Sequence, residues 1–172
     1  MPEKMIIMER IAITAASPAD YPALLALNEG AVPHVNSIPT AKLQHLHRHS
    51  AYLGVARRDG APIGFLLALP ETADYDSINF AYFRHHYRRF VYIDRVVVSS
   101  AVRRAGLGSA LYQDLQRSLP EGCPLLACEV NVRPSNQTSL AFHQRLGFEA
   151  VGEQDTEGGS KRVRLLTKQL QP

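Results

Sequence analysis

The 172-residue sequence lacks the features that mark membrane, secreted and repeat proteins. No apolar run reaches the ~18 residues that a membrane-spanning helix needs. Residues 1–8 lack the apolar core and the cleavage site of a secretory signal. Internal repeats, low-complexity tracts and interdomain linkers are also absent. These absences favour a cytoplasmic protein with no membrane partner.

Cysteine is scarce, and the sequence offers little for a metal ion. Cys123 and Cys128 fit neither a Cys-x-x-Cys redox pair nor a zinc knuckle, so both are interpreted as reduced thiols. On a helix His45 and His49 share a face, but no acidic partner lies nearby in the sequence. No metal site is therefore predicted.

The net charge of the chain is also small. The net charge of +3 permits an anionic ligand but does not indicate a nucleic-acid partner. The apolar fraction of 45% is sufficient for a packed core, and the length is typical of one domain. We expect a single domain over residues 9–170, preceded by a short extension at residues 1–8.

Apolar and alternating segments predict a mixed sheet. Asp59-Gly60 marks a hairpin turn, Ser17 and Pro18 mark a helix start, and Gly147 marks a helix end. The predicted strands are Ile11–Thr14, Tyr52–Arg57, Pro62–Leu69, Tyr92–Val98, Leu125–Val132, Phe148–Gly152 and Arg162–Lys168. The predicted helices lie at about 17–29, 40–49, 107–119 and 135–146. The order gives an α/β fold with helices on both faces and a right-handed crossover between two central parallel strands. Residues 70–89 show no periodicity and are expected to form a long aromatic-rich loop.

A short basic glycine turn joins the strand ending at Val98 to the helix that follows. It reads Arg103-Arg104-Ala105-Gly106-Leu107-Gly108-Ser109. Glycines let the main chain approach a ligand closely, and the first turn of a helix leaves amide donors unpaired. The segment is neither a phosphate loop, because no lysine follows Gly108, nor a dinucleotide fingerprint, because Leu111 replaces the third glycine. It predicts either a diphosphate-binding turn or a plain tight connection.

Two motifs together resemble the GCN5-related N-acetyltransferase superfamily. The first is the Arg/Gln-x-x-Gly-x-Gly/Ala turn at residues 103–108. The second is the strand–Asn–helix–Gly-Phe signature, represented by residues 130–136, Leu140 and residues 146–148. Both occur in the family's order and spacing. The resemblance implies the acyl-CoA N-acyltransferase fold, with about seven strands in a mixed sheet and helices on both faces.

The resemblance also implies acetyl-CoA as a cosubstrate, with no metal. The main chain at the end of the first central strand would pair with the pantetheine arm, the glycine turn would hold the pyrophosphate, and Asn136 would bond to the arm. The implied cofactor residues are Val96, Val97, Val98, Arg103, Arg104, Ala105, Gly106, Leu107, Gly108, Ser109 and Asn136.

Three side chains are candidates for proton transfer. A base must deprotonate the attacking amine, and an acid helps the thiolate to leave. Asp94 is the leading base, or it forms an ion pair with a neighbouring arginine. Glu129 is the second base, or a structural carboxylate. His143 stands where many family members have a tyrosine acid, and it either transfers a proton or packs in the cofactor cleft.

The resemblance places the acceptor pocket at the first helix–loop–helix and at the connection before the central strands. The candidate residues there are His34, Asn36, Tyr82, Phe83 and Tyr87, and the aromatic ones could equally pack in a local core. Arg84, Arg88 and Arg89 either attract an anion or form a solvated basic face.

The predicted activity is transfer of an acetyl group from acetyl-CoA to a primary amine, by direct attack in a ternary complex. The expected acceptor is a small molecule or an amino acid. The alternatives are acetylation of a protein N-terminus or lysine, and acyl-CoA binding or sensing without turnover. Edge pairing through the last hairpin could also make a homodimer.

Overall fold

The computed structural model describes residues 11–102 and 106–171. The described residues form a seven-stranded sheet with five α-helices. The strands are β1 (Ile11–Ala15), β2 (Tyr52–Arg58), β3 (Ala61–Pro70), β4 (Val91–Val98), β5 (Leu125–Arg133), β6 (Glu149–Thr156) and β7 (Lys161–Gln169). The helices are α1 (Tyr21–Glu29), α2 (Thr40–His49), α3 (Ile78–His86), α4 (Leu107–Ser118) and α5 (Gln137–Arg145).

The sheet is mixed, as the sequence predicts. Its strand order is β1-β2-β3-β4-β5-β7-β6. The strands β4 and β5 run parallel, with Val91 opposite Leu126 and Tyr92 opposite Ala127. The pairs β1–β2, β2–β3, β5–β7 and β6–β7 are antiparallel. The parallel β4–α4–β5 crossover predicted at the centre of the fold is confirmed.

By their contacts the described residues fall into two compact units. The first contains the described residues up to Ala68 together with Asp94–Leu119, and the second contains Leu69–Ile93 and the described residues from Pro120 onward. In the first unit, Leu24, Leu43 and Leu46 of the two N-terminal helices are fully buried. Among the described residues, no helix is long and apolar enough to cross a membrane.

Local signals in the first unit work as predicted. Asp59 and Gly60 have positive φ angles of 50° and 85°, as a type I′ hairpin turn requires. Ser17 precedes a 3₁₀ turn at Pro18–Asp20 that continues into α1, and its main-chain N–H donates to Asp20 Oδ2 at 2.8 Å. This hydrogen bond holds the start of the helix.

One prediction about the second unit is wrong. The segment 70–89 is not a loop throughout, because residues 78–86 form α3, which Ser77 caps by accepting a hydrogen bond from the Phe80 N–H. Phe80 and Phe83 face the core, whereas Tyr82 turns to β6, where its hydroxyl donates to Val151 O at 3.2 Å. Because large side chains lie on more than one face of α3, its sequence lacks the single apolar stripe from which an amphipathic helix is predicted.

The aromatic residues of this segment form a cluster around β4, which we call the aromatic cluster. Its members are Tyr75, Phe80, Phe83, Phe90 and Tyr92. The ring of Tyr92 lies 5.4 Å from that of Phe80 and 5.9 Å from that of Phe83. The phenylalanines and Tyr92 are at most 1% exposed, so the cluster forms part of the core of the second unit.

We predict that Asp20→Asn lowers the free energy of unfolding in a pH-dependent way. Two nitrogens of Arg57 donate to the Asp20 carboxylate at 2.9 and 2.8 Å, and these hydrogen bonds hold the pKa of Asp20 at about 2, below its ordinary 3.8. A carboxyl whose pKa is lower in the folded state stabilises fully above the ordinary value, and the contribution disappears as the pH falls from about 4 to about 2. Urea denaturation at pH 7 should show a loss of about 1–2 kcal/mol, reduced by the partial exposure of Arg57.

The same measurement near pH 2.5 should show a much smaller difference between Asp20→Asn and the wild type. Asp76→Asn, at an exposed site, serves as the control and should change little at either pH. An Asp20→Asn effect of equal size at both pH values would contradict the ion-pair account.

Candidate functional site

The turn after β4 has the backbone that the motif predicts. Gly106 has φ 80° and ψ 11°, in the left-handed region, and it caps the start of α4. Among residues 11–102 and 106–171, a Cβ at Gly106 would meet no atom within 4 Å. The Ala110 N–H donates to Gly106 O, which leaves the amides of residues 107–109 ahead of the first intrahelical donor. Arg103, Arg104 and Ala105 lie outside the described residues.

Gly64 on β3 packs closely against the residues on either side of this turn. A Cβ at Gly64 would lie 2.9 Å from Val97 O and 3.3 Å from Leu107 Cδ2. The Ser99 N–H donates to Ile63 O at 2.8 Å, immediately beside this contact. The end of β4 and the first residue of α4 are thus both packed directly against the backbone of β3. The candidate anion site therefore has a rigid base.

Asp94 belongs to a polar network in the first unit. Its Oδ2 accepts from Arg95 Nε at 2.6 Å, and the two side chains are 3% and 6% exposed. Arg95 Nη1 donates to Asn28 Oδ1 at 2.8 Å and to Asn36 O at 3.2 Å. Asn28 Nδ2 also donates to Asn36 O, at 2.9 Å. The ion pair that the sequence left open as an alternative for Asp94 is present, and it ties the α1–α2 connection to β4.

The candidate acceptor residues in the first unit lie on that connection. His34 and Asn36 are both exposed. The His34 N–H donates to Ala31 O at 2.9 Å, so a turn holds its backbone. The main chain of Asn36 is fixed through the Arg95 network. Both side chains remain accessible to a ligand.

Glu129 accepts hydrogen bonds in the second unit. The hydroxyl of Tyr92 lies 2.8 Å from Oε1 and 2.7 Å from Oε2. Tyr92 is fully buried and Glu129 is half-buried. Tyr92 is not among the site residues that the sequence predicts. The sequence indicates only that a carboxylate in an apolar strand needs a donor; the register, which pairs Tyr92 with Ala127 two residues before Glu129, identifies that donor.

His143 is 3% exposed, between the rings of Phe142 and Phe148. Its Nδ1 lies 2.8 Å from Ser139 O, so Nδ1 carries the proton and donates to this carbonyl. Burial lowers the pKa of His143 below its ordinary 6.5, and the bond to Ser139 opposes this only in part. A neutral imidazole whose proton is engaged is a poor acid at pH 7, so these contacts favour the packing interpretation.

Asn136 begins α5. Its Oδ1 accepts from the Ser139 N–H at 3.3 Å, and its own N–H donates to Asn131 O at 3.1 Å. The side chain therefore caps the helix through its oxygen. The role that the resemblance assigns to Asn136, bonding to the pantetheine arm, would use its amide nitrogen.

The three aromatic acceptor candidates have different surroundings. Phe83 is fully buried in the aromatic cluster. Tyr82 is half-buried and stacks on His86 at 4.1 Å between ring centroids. Tyr87 is half-buried, and its N–H donates to Phe83 O at the end of α3. The local packing that the sequence left open for the aromatic residues is thus present at Phe83.

A family model described as "Acetyltransferase (GNAT) family" matches residues 21–148. The match covers the glycine turn, both central strands and the α5 signature. The chain belongs to the GNAT acetyltransferase family. It is therefore an acyltransferase of the N-acetyltransferase type, and this family in general uses acetyl-CoA as cosubstrate.

Solved structures of GNAT proteins share the fold over nearly the whole chain. Ard1 from Thermoplasma volcanium is 18% identical with a TM-score of 0.76, covering 95% of this chain and 99% of its own. Ribosomal-protein-alanine N-acetyltransferase from Brucella melitensis is 24% identical with a TM-score of 0.69, covering 92% and 99%. Arabidopsis thaliana NAA60, in complex with a bisubstrate analogue, is 17% identical with a TM-score of 0.72, covering 92% and 97%. No curated protein matches the chain. At these identities the likeness establishes the fold alone.

We predict that Gly64→Ala weakens binding of the cofactor more than it lowers stability. The added methyl group collides with Val97 O, so the end of β4 must shift beside the turn. The KM for acetyl-CoA should rise about tenfold or more, because small misplacements in a binding site are costly. Gly30→Ala is the matched control, since its Cβ would lie 3.4 Å from the nearest atom and its φ is −65°. Equal KM values for the two variants would contradict the supporting role of Gly64.

A second prediction concerns the pH dependence of stability. His143 has a lower pKa in the folded protein, so its contribution is complete above pH 6.5 and is lost as the pH falls below that value. His143→Gln should therefore flatten the decline in melting temperature between pH 7 and pH 5. His34→Gln, at an exposed site, should leave the slope unchanged. A slope in His143→Gln as steep as in the wild type would be inconsistent with burial of a neutral imidazole.

Proposed function

We propose that this enzyme transfers the acetyl group of acetyl-CoA to a primary amine of a small molecule or an amino acid, by direct attack in a ternary complex. One observation carries the proposal. In a chain of the GNAT family, Gly106 adopts a left-handed backbone conformation at the N-cap of α4, the helix that follows β4. We further propose that residues 9–170 act as a single domain.

The described residues suit a diphosphate at this turn. The amides of Leu107, Gly108 and Ser109 precede the first intrahelical donor, and the positive end of the helix dipole lies there. No acidic residue occurs in the first turn of α4. We propose that these amides bind the diphosphate together with the segment 103–105, that Val96–Val98 pair with the pantetheine arm, and that Asn136 Nδ2 donates to it.

The chemistry requires removal of a proton from the amine. The amine nitrogen attacks the thioester carbonyl, the C–N bond forms, the C–S bond breaks, and the departing thiolate takes up a proton. We propose Glu129 as the base ahead of Asp94. Asp94 is held in an ion pair with the cationic Arg95, which weakens it as a base, whereas the donor to Glu129, the hydroxyl of Tyr92, is neutral. The contacts of His143 give less support to its acid role.

The proposed acceptor-binding residues are the exposed His34 and Asn36 in the first unit, and the half-buried Tyr82 and Tyr87 in the second. Phe83 would act there only through packing. A protein N-terminus is the second candidate acceptor, because one structural relative is named for acting on an alanine of a ribosomal protein. A panel that compares free amines with short peptides separates the two.

The experiment combines binding with turnover. Calorimetry with acetyl-CoA should show association, and thiol release should depend on an added amine. Glu129→Gln should lower kcat about 10²-fold or more, the usual contribution of a general base, while the affinity for acetyl-CoA stays within about twofold. Asp94→Asn should have the smaller effect on kcat, and His143→Ala reports on the acid.

Three outcomes would change the proposal. Absence of acetyl-CoA binding contradicts it altogether. Tight binding without acceptor-dependent thiol release supports the alternative of a binding or sensing protein. A Glu129→Gln enzyme with full kcat, together with an inactive Asp94→Asn enzyme, would return the base to Asp94.

A further inference from the structure

We infer that Tyr92 is a positioning residue, which fixes the carboxylate of Glu129 for proton removal and is itself held by helix α3. The inference rests on the proposed function, in which Glu129 is the base. It assigns a role to the β3–β4 connection, which the sequence presents only as an aromatic-rich segment.

The contact between the two side chains is close and directed. Tyr92 Oη lies 2.8 Å from Oε1 and 2.7 Å from Oε2 of Glu129, so its single proton is within hydrogen-bond distance of both oxygens. The tyrosine is fully buried, so solvent cannot replace this donor if it is lost. A hydrogen bond to a carboxylate is stronger than one between neutral groups, and it sets the plane of the acceptor.

Packing leaves Tyr92 little freedom. Phe80 and Phe83 of α3 approach its ring at 5.4 and 5.9 Å between centroids, and Tyr75 approaches at 6.2 Å. Phe90 packs on Phe80 at 5.8 Å and on Phe83 at 6.1 Å. These contacts keep the ring in one rotamer, so the hydroxyl is presented to Glu129 in one place.

Helix α3 is in turn attached to β6. Tyr82 Oη donates to Val151 O, and Gln154 Nε2 donates to Asn79 Oδ1 at 2.5 Å. A Cβ at Gly152 would lie 3.1 Å from Tyr82 Oη, so the glycine permits this approach. Strand β6 therefore holds α3, α3 holds the ring of Tyr92, and Tyr92 orients the carboxylate of Glu129. All of these residues belong to one unit.

This arrangement affects the chemistry in one specific way. A base acts efficiently only when its lone pairs are held within a narrow range of angles and distances from the proton. The hydroxyl of Tyr92 contacts both carboxylate oxygens and so fixes the orientation of Glu129. Because Tyr92 is neutral, it adds no positive charge that would weaken Glu129 as a base. Loss of the hydroxyl should therefore lower kcat and leave cofactor binding intact.

The test is a double-mutant cycle on the full-length enzyme. Tyr92→Phe keeps the ring and removes the donor, so it should lower kcat about 10- to 100-fold while the KM for acetyl-CoA and the melting temperature change little. In Tyr92→Phe/Glu129→Gln, kcat should be no lower than in Glu129→Gln alone, because residues that act as a unit are not additive. Tyr75→Phe removes a hydroxyl from the same aromatic cluster and should retain kcat.

Isotope-edited infrared spectroscopy gives a readout that needs no turnover. The carboxylate band that disappears in Glu129→Gln should shift in Tyr92→Phe and not in Tyr75→Phe. A band unmoved by Tyr92→Phe overturns the inference even if the wild type proves inactive, which would instead contradict the proposed function. If the wild type is active, two further results overturn the inference. One is a kcat of Tyr92→Phe within twofold of the wild type. The other is a double variant whose loss of kcat equals the product of the losses in the two single variants.

Discussion

A carboxylate placed on an inner strand of an apolar sheet must receive hydrogen bonds, and this constraint shapes both candidate bases. Asp94 meets it with a charged partner, Arg95, whose remaining donors extend to Asn28 and to the main chain of Asn36. Glu129 meets it with a neutral partner, Tyr92. The first contact pairs the negative charge with a cation and ties a loop to the strand, while the second supplies a neutral hydrogen-bond donor. This difference in partner is the physical reason to propose Glu129 rather than Asp94 as the base.

Two glycines position neighbouring elements, as these hydrogen bonds position the carboxylates. Gly64 brings β3 against the end of β4 and the first residue of α4, and Gly152 brings Tyr82 against β6. A Cβ at Gly64 would lie 2.9 Å from Val97 O and force the end of β4 to shift, whereas a Cβ at Gly152 would crowd only the hydroxyl of Tyr82, at 3.1 Å. The glycine at position 106 is different, because it provides a left-handed conformation rather than a close approach. The glycines of this chain thus serve two purposes: Gly64 and Gly152 permit a close approach, and Gly106 provides a left-handed backbone conformation.

Much of the fold follows from local signals in the sequence. The Asp59-Gly60 turn, the Ser17 cap and the glycine that follows α5 each act over a few residues, and each is confirmed. Helix α3 escaped prediction because its large side chains point to the core and to β6 at once, so no single apolar face exists. The partner of Glu129 depends on the β4–β5 register, a long-range property that periodicity does not contain. The glycine turn was recognisable from its motif, whereas its support by Gly64 required the fold.

The central claim is that main-chain amides following Gly106 bind the diphosphate of coenzyme A. Amide chemical shifts of uniformly ¹⁵N-labelled protein, recorded during titration with coenzyme A and separately with pantetheine, test it most directly. The account predicts that the amides of Leu107, Gly108 and Ser109 shift strongly with coenzyme A and little with pantetheine, which lacks the diphosphate. Amides that respond equally to both ligands, or to neither, would contradict it.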